Sequence, residues 1–171
     1  MEELAEACRE QDHLRVLALA ENMDAPEALR CRLVALIKLG HFSKALELFP
    51  EDSSLWEKAY CLYREKKHEQ LEKMFESKID GPEVALVHLR AQTHFRLRRY
   101  RQAAHELKSF EEKDYATDPD LASNIIASFI ESGSPDLALK VKSAVQAPDL
   151  FYNLSCAYLD LGCGIVCAGR F

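Results

Sequence analysis

Apolar residues recur along the chain in triplets spaced i, i+4 and i+7, the period of one helix face. Leu29, Leu33 and Leu36 form one triplet, and Leu55, Ala59 and Leu62 another. Val87, Ala91 and His94, then Ala122, Ile126 and Phe129, continue the series. Each triplet predicts a helix, and each is followed by a second apolar run after a short break. Those runs are Phe42, Ala45 and Phe49; Leu71 and Phe75; Tyr100, Ala103 and Leu107; and, after Gly133, Ala138. A weaker copy passes through Leu4, Ala7, Val16 and Ala20. The pattern returns a last time in "FYNLSCAYLDLG", residues 151–162, with "CGIVCAGRF" behind it in place of a second run.

Within each copy the order of residue types is constant. In "LIKLGHFSKALELFP", residues 36–50, a helix ends near Gly40 and Phe42 follows. Ala45 then supplies a small residue where two helices touch, Phe49 fills the gap and Pro50 stops the helix. This is the second half of a tetratricopeptide-type repeat. Residues Ala7, Leu36, Leu62, His94, Phe129 and Tyr158 mark successive registers, 29, 26, 32, 35 and 29 residues apart. The standard period is about 34, so the helices are trimmed. The expected fold is all-α, a tetratricopeptide-type helical-hairpin solenoid of five helix pairs plus an unpaired terminal helix. Residues 1–162 form the repeat domain and 163–171 an irregular tail, since three glycines in eight residues, Gly162, Gly164 and Gly169, oppose a helix. Loops are expected at 50–54, 77–83, 113–120 and 146–149, with Asp52, Ser53 or Ser54 capping the helix that holds Trp56.

The segment "SSLWEKAYCLYREKK", residues 53–67, carries a second stripe beside the first. Trp56, Tyr60 and Tyr63 also fall at i, i+4, i+7, about 100° around the helix from Leu55, Ala59 and Leu62. In stacked helix pairs the first stripe packs on its own second helix, here on Leu71 and Phe75, and the second lines the groove. Equivalent groove positions are Arg30, Val34 and Ile37, then His88, Gln92 and Phe95, then Ser123, Ala127 and Ile130. Such a lining suits an apolar helix or extended segment of another protein, with Arg64, Arg96 and His88 adding polar register. A register shifted by one residue makes Trp56 plain core instead.

Composition narrows the class. The chain has 171 residues, 48% of them hydrophobic and 29% charged, which is globular. The net charge of −6 argues against nucleic-acid binding by the chain as a whole. No run of 18 or more apolar residues exists, so no membrane span is expected. "MEELAEACREQDH" at the start lacks an apolar signal region. A cytoplasmic chain with six reduced cysteines is the expectation.

No constellation of residues points to catalysis. Cys163 and Cys167 have a CxxxC spacing without the second ligand pair that zinc needs. Cys61 and Cys156 sit within helical patterns, where buried structural cysteine is the ordinary role. The six histidines form no HExxH, and neither a Gly-rich phosphate loop nor GxSxG occurs. No enzyme, metal or cofactor is expected. One segment is locally basic: "RAQTHFRLRRYR", residues 90–101, holds Arg90, Arg96, Arg98, Arg99 and Arg101 without an acid. It either meets phosphates or an acidic partner, or its arginines simply favour a helix C-terminus at an inter-helix turn. A clamp for a chaperone's terminal carboxylate needs Lys and Asn at groove positions. Arg30, Val34, Glu57, Ala85 and Leu89 do not supply it, and only Asn124 and Asn153 match in type.

The stretch "LWEKAYCLYREKKHEQLEKM", residues 55–74, goes beyond the generic repeat. Trp56, Glu57, Lys58, Ala59, Tyr60, Cys61, Tyr63 and Arg64 resemble the aromatic-Glu-Lys-Ala-Tyr-Cys core, with its following Tyr and Arg, of one family. That family is the N-terminal tetratricopeptide-repeat domain of the seventy-two-kilodalton subunit of the eukaryotic signal recognition particle. "FYNLSCAYLDLG" resembles the same family, and the likeness extends over roughly residues 25–162. The resemblance implies a scaffold that docks the sixty-eight-kilodalton partner subunit of that particle for protein targeting to the endoplasmic reticulum. RNA contact is then indirect or weak, because the family's Lys-rich RNA-attaching region has no counterpart here. The family's chains are longer, so a fragment, a reduced homologue or an isoform is expected. The last helix, with Phe151, Ser155 and Tyr158 on one face, lacks a covering helix. The remainder of a longer chain, a second copy of this chain in a homodimer, or the partner is expected to cover that face.

Overall fold

A computed structural model of the chain describes residues 1–50, 55–78, 84–141 and 147–161. The expected caps Asp52, Ser53 and Ser54, most of the 77–83 loop, Gly162 and the 163–171 tail lie outside those residues. Among the described residues there are twelve helices and no strand: α1 (Glu2–Arg9), α2 (His13–Ala20), α3 (Pro26–Lys38), α4 (Phe42–Leu48), α5 (Leu55–Arg64), α6 (His68–Lys78), α7 (Val84–Arg96), α8 (Tyr100–Leu107), α9 (Glu112–Tyr115), α10 (Pro119–Glu131), α11 (Pro135–Ala138) and α12 (Pro148–Asp160). The expected all-α repeat class is what forms. The chain divides into two compact units, Met1–Ser77 and Lys78–Phe171.

Local chemistry starts several of these helices. Asp12 caps α2 by accepting from the Arg15 N–H at 3.1 Å. Asp118 caps α10 by accepting from the N–H groups of Asp120 and Leu121. Prolines occupy the first turn of α3, α10, α11 and α12, where their missing N–H costs nothing. Helix α4 ends because Phe49 is extended ahead of Pro50.

One turn recurs between the helices of each hairpin. Gln11, Gly40, Lys66, Arg98 and Gly133 all adopt positive φ, between 57° and 81°. At each, the following residue's N–H donates to a carbonyl five positions back: Asp12 to Ala7, His41 to Leu36, Lys67 to Leu62, Arg99 to His94, Ser134 to Phe129. The positive-φ residue donates to the carbonyl three back, which completes a Schellman motif. From positions 11, 40, 66, 98 and 133 the intervals are 29, 26, 32 and 35, the registers read from the apolar triplets.

The first unit packs α1 on α2, α2 on α3, α3 on α4 and α4 on α5. Leu4, Ala7, Val16 and Ala20, the weakest copy in the sequence, are all buried with Ala28 and Ala35. A second cluster joins Leu33, Leu36, Phe42, Ala45 and Cys61. Ala59, Leu62, Leu71 and Phe75 are buried as expected. In the second unit α7 pairs with α8, α8 lies on α10, and α10 carries both α11 and α12. Ala91, Leu107, Leu121, Ala122, Ile125, Ile126, Phe129, Ala138 and Leu150 belong to its core.

The structure departs from the expected elements in three places. The loop expected at 113–120 holds the end of α9 and the start of α10. A capping box between Glu111 and Asp114 closes α9, and Phe110 and Tyr115 pack on the core to hold it there. Helix α11 is a four-residue stub. On α7 the fully buried positions are Leu86, Leu89, Ala91 and Thr93, while Val87 and His94 are half-buried.

The turns predict a contrast between glycine and its substitutes. Gly40→Ala and Gly133→Ala place a Cβ on a left-handed backbone, which costs about 1–2 kcal/mol. No neighbour crowds either site, since the nearest atom to a Cβ at Gly40 is Phe42 Cε2 at 3.9 Å. Thermal melts followed by circular dichroism should fall by about 2–4 °C per kcal/mol lost. Lys66→Gly should leave the melt unchanged or raise it, because relieved strain offsets the freedom of glycine.

Candidate functional site

The α3–α4 turn and helix α5 build an open cleft of about 470 Å³ in the first unit. Ile37, Phe42, Trp56 and Tyr60 give it an apolar lining, and Lys38, Glu57 and Arg64 bring charge to it. Phe42 is buried because it follows the Gly40 turn by two residues and enters the core. The Tyr60 ring stands edge-on to Phe42, with centroids 5.9 Å apart. Trp56 lies against Tyr60 at 6.0 Å. The Arg64 guanidinium covers Phe42 at 4.6 Å, lies 5.5 Å from the Tyr60 ring and donates to the Tyr60 hydroxyl. Trp56 and Tyr60 are half-buried, so they serve as wall and as support at once. One carboxylate oxygen of Glu57, Oε2, is buried without a hydrogen-bond partner.

The structure brings four of the groove residues read from the sequence into this one place: Ile37, Trp56, Tyr60 and Arg64. Arg30 and Val34 are exposed on α3, outside the cleft lining. Tyr63 turns to His68, with ring centroids 5.5 Å apart. In the second unit Phe95 stands edge-on to Tyr100 at 5.1 Å, and Arg96 is exposed at the end of α7. His88 and Gln92 belong to a polar link between α7 and α10. The amide nitrogens of Gln92 and Asn124 each lie 2.9 Å from His88 Nε2. Phe42 and Glu57 as cleft residues, and Asn124 as the partner of His88, were not singled out in the sequence. The position of Phe42 just after a turn glycine is the one local signal for it.

The basic segment is divided by the fold. Arg90 is half-buried and ion-paired with Glu106. Arg98, Arg99 and Arg101 are exposed at the α7–α8 turn. With Tyr100, Gln102, Glu131, Ser132 and Gly133 they line an open depression of about 530 Å³. Among the described residues no group of three or more His, Cys, Asp or Glu side chains could hold a metal ion. No described helix is long and apolar enough to cross a membrane.

Two ionisable groups report on packing. Burial lowers the His88 pKa below its ordinary 6.5, against the raising effect of Asp118 and Asp120. Lowering favours the neutral ring, and with the proton on Nδ1 the single lone pair of Nε2 accepts from one of the two amides at a time. A nuclear magnetic resonance titration should show His88 titrating below 6.5. Stability should fall as pH drops through that range, because the unfolded chain takes up a proton that folded His88 refuses. Burial first, then Glu57 and Glu65, pushes the Cys61 thiol up to about 11. Alkylation at pH 8, read residue by residue by mass spectrometry, should label exposed Cys8 and spare Cys61 until the chain unfolds.

The sequence is similar to known proteins. Residues 9–128 match the SRP_TPR_like family model, a TPR-like repeat. The chain is also 28% identical over 148 residues to signal recognition particle subunit SRP72 of Dictyostelium discoideum, covering 81% of this chain and 22% of that protein. It thus spans about a fifth of the length of that relative. With its hairpin turns, its all-α fold and a family match over most of its length, the chain belongs to the SRP_TPR_like family of TPR-like repeat proteins.

Proposed function

We propose that the chain is a non-catalytic docking module of the signal recognition particle, working in the cytoplasm. In this reading it holds a segment of the sixty-eight-kilodalton subunit and so serves protein targeting to the endoplasmic reticulum. The observation that carries the reading is the aromatic cleft. Trp56, Tyr60 and Phe42 form a connected wall, braced by Arg64, beside Ile37 and the unpartnered Glu57 oxygen. An apolar side chain of the partner fits against the rings. Similarity to SRP72, together with the Trp56–Arg64 match, supports the choice of partner.

A second reading rests on Arg98, Arg99 and Arg101, exposed together at one turn. They would give an auxiliary, weak RNA contact that falls steeply with salt.

Binding of the purified sixty-eight-kilodalton subunit separates these readings. Trp56→Ala should weaken it by about 2 kcal/mol or more, roughly thirtyfold in Kd, with helical circular dichroism intact. Trp56→Ala is the cleaner variant, because Tyr60 also supports Phe42. Unchanged affinity in Trp56→Ala contradicts the cleft reading. Salt-sensitive RNA binding by the isolated chain, lost in Arg98→Gln/Arg99→Gln, would establish the second.

A further inference from the structure

The first core cluster brings Cys8 of α1 and Cys31 of α3 together. Cys8 follows Leu4 by four residues and so shares its helix face, and Leu4 is buried in that cluster beside Ala7. Cys31 follows Ala28 by three residues and precedes Ala35 by four. Both alanines are buried in the same cluster, and the Cys31 side chain packs against it. The two helices thus aim their sulfurs at one seam, and the Cys8 and Cys31 side chains share a hydrogen bond across it. The pair is asymmetric: Cys8 is exposed and Cys31 is half-buried. Burial first, then the Cys8 sulfur and Glu27, raises the Cys31 pKa above its ordinary 9.0. Cys31 therefore keeps its proton beside a sulfur that solvent reaches. Cys61, the other described cysteine of this unit, is buried in the second cluster.

We propose that Cys8 and Cys31 are a redox-sensitive pair, which a low-molecular-weight disulfide such as glutathione disulfide converts into a reversible bond tying α1 to α3. The chemistry takes two exchanges. The Cys8 thiolate attacks one sulfur of glutathione disulfide, forms a Cys8–glutathione bond and releases a glutathione thiolate. Cys31 then loses its proton, and its sulfur attacks Cys8 Sγ and expels the second glutathione. Two thiols of the chain become one disulfide, and one glutathione disulfide becomes two glutathione thiols. Two electrons and two protons pass from the chain to glutathione. Exposure makes Cys8 the first to react, and contact makes Cys31 the sulfur that resolves the intermediate. In a reducing compartment the pair rests as thiols and closes as the glutathione pool turns oxidising. The consequence is mechanical. Helix α1 packs on α2 and α2 on α3, so the bond adds a direct tie between the first hairpin and the second. Local opening of α1 is then suppressed. Neither cysteine lines the Trp56 cleft, and the site stands apart from the docking reading.

The test uses the full 171-residue chain, reduced and then held without oxygen in excess glutathione disulfide. Remaining thiols are blocked with N-ethylmaleimide, and the chain is mapped by mass spectrometry without reduction. The expected product is a monomer with its helical circular dichroism intact, carrying a linked Cys8–Cys31 peptide that dithiothreitol reopens. Cys31→Ser should stall with glutathione on Cys8, and Cys8→Ser should leave Cys31 largely unmodified. Hydrogen exchange of the α1 amides should slow by about tenfold or more in the bridged chain, relative to Cys8→Ser under the same oxidant. Stable glutathione on Cys8 of the unaltered chain, or a dimer joined through Cys8, overturns the proposal. So does a disulfide that leaves Cys8 and Cys31 open to N-ethylmaleimide. A Cys8–Cys31 bond that forms no faster in the folded chain than in urea shows that the fold does not place the pair, and overturns it as well. Unchanged α1 exchange in the bridged chain overturns the tie.

Discussion

Everything in this chain hangs on how a helix is stopped and sent back. One residue of positive φ and one N–H to the carbonyl five positions earlier close each hairpin, at residues 11, 40, 66, 98 and 133. The acceptor is each time the last residue of the apolar triplet. The turn is therefore keyed to the helix face that packs, and the second helix starts with its own apolar residues already aimed at the first. Two of the five sites are glycine, and the others bear the strain of a side chain in the left-handed region. Packing of the hairpin has to outweigh that strain, so the turns and the core stand or fall together.

The cleft is a consequence of one such turn. Gly40 reverses the chain, Phe42 enters the core two residues later, and its ring gives Tyr60 an edge to stand on. Trp56 and Arg64 then lean on Tyr60 and Phe42 from the same helix, one turn before and after Tyr60. Side chains already held by neighbours lose little freedom when a partner arrives, which is where a preformed aromatic wall gains affinity over loose ones. Ala59 and Leu62 go inside, while Trp56 and Tyr60 hold the boundary between core and cleft. The Arg98 turn, by contrast, presents arginines to solvent beside Glu131, without an aromatic wall of that kind.

Repeat registers were legible because they depend on residues close in sequence. The triplets marked the turn acceptors, including the faint copy through Leu4 and Ala7. Helix α9 was not legible, since four residues have no period to read and a capping box with two core contacts sustains them. The burial pattern of α7 was misplaced because apolar residues surround the helix, so no single stripe stands out. Half of the cleft was visible as the run from Trp56 to Arg64. Phe42 was read as the aromatic that follows the Gly40 turn and Glu57 as part of the Trp56–Arg64 run, and neither as a cleft residue. Pairings between distant positions left no local trace, as with His88 and Asn124, 36 residues apart, or Arg90 and Glu106.

Trp56 is the single tryptophan of the chain, and it sits in the cleft wall. The most direct measurement of the central claim is the fluorine resonance of the chain carrying 5-fluorotryptophan, recorded with and without the sixty-eight-kilodalton subunit. If the cleft receives the partner, the one resonance should shift and lose its sensitivity to a soluble paramagnetic quencher as the complex forms. A complex that forms while the resonance stays in place and fully quenchable would show that the partner docks elsewhere.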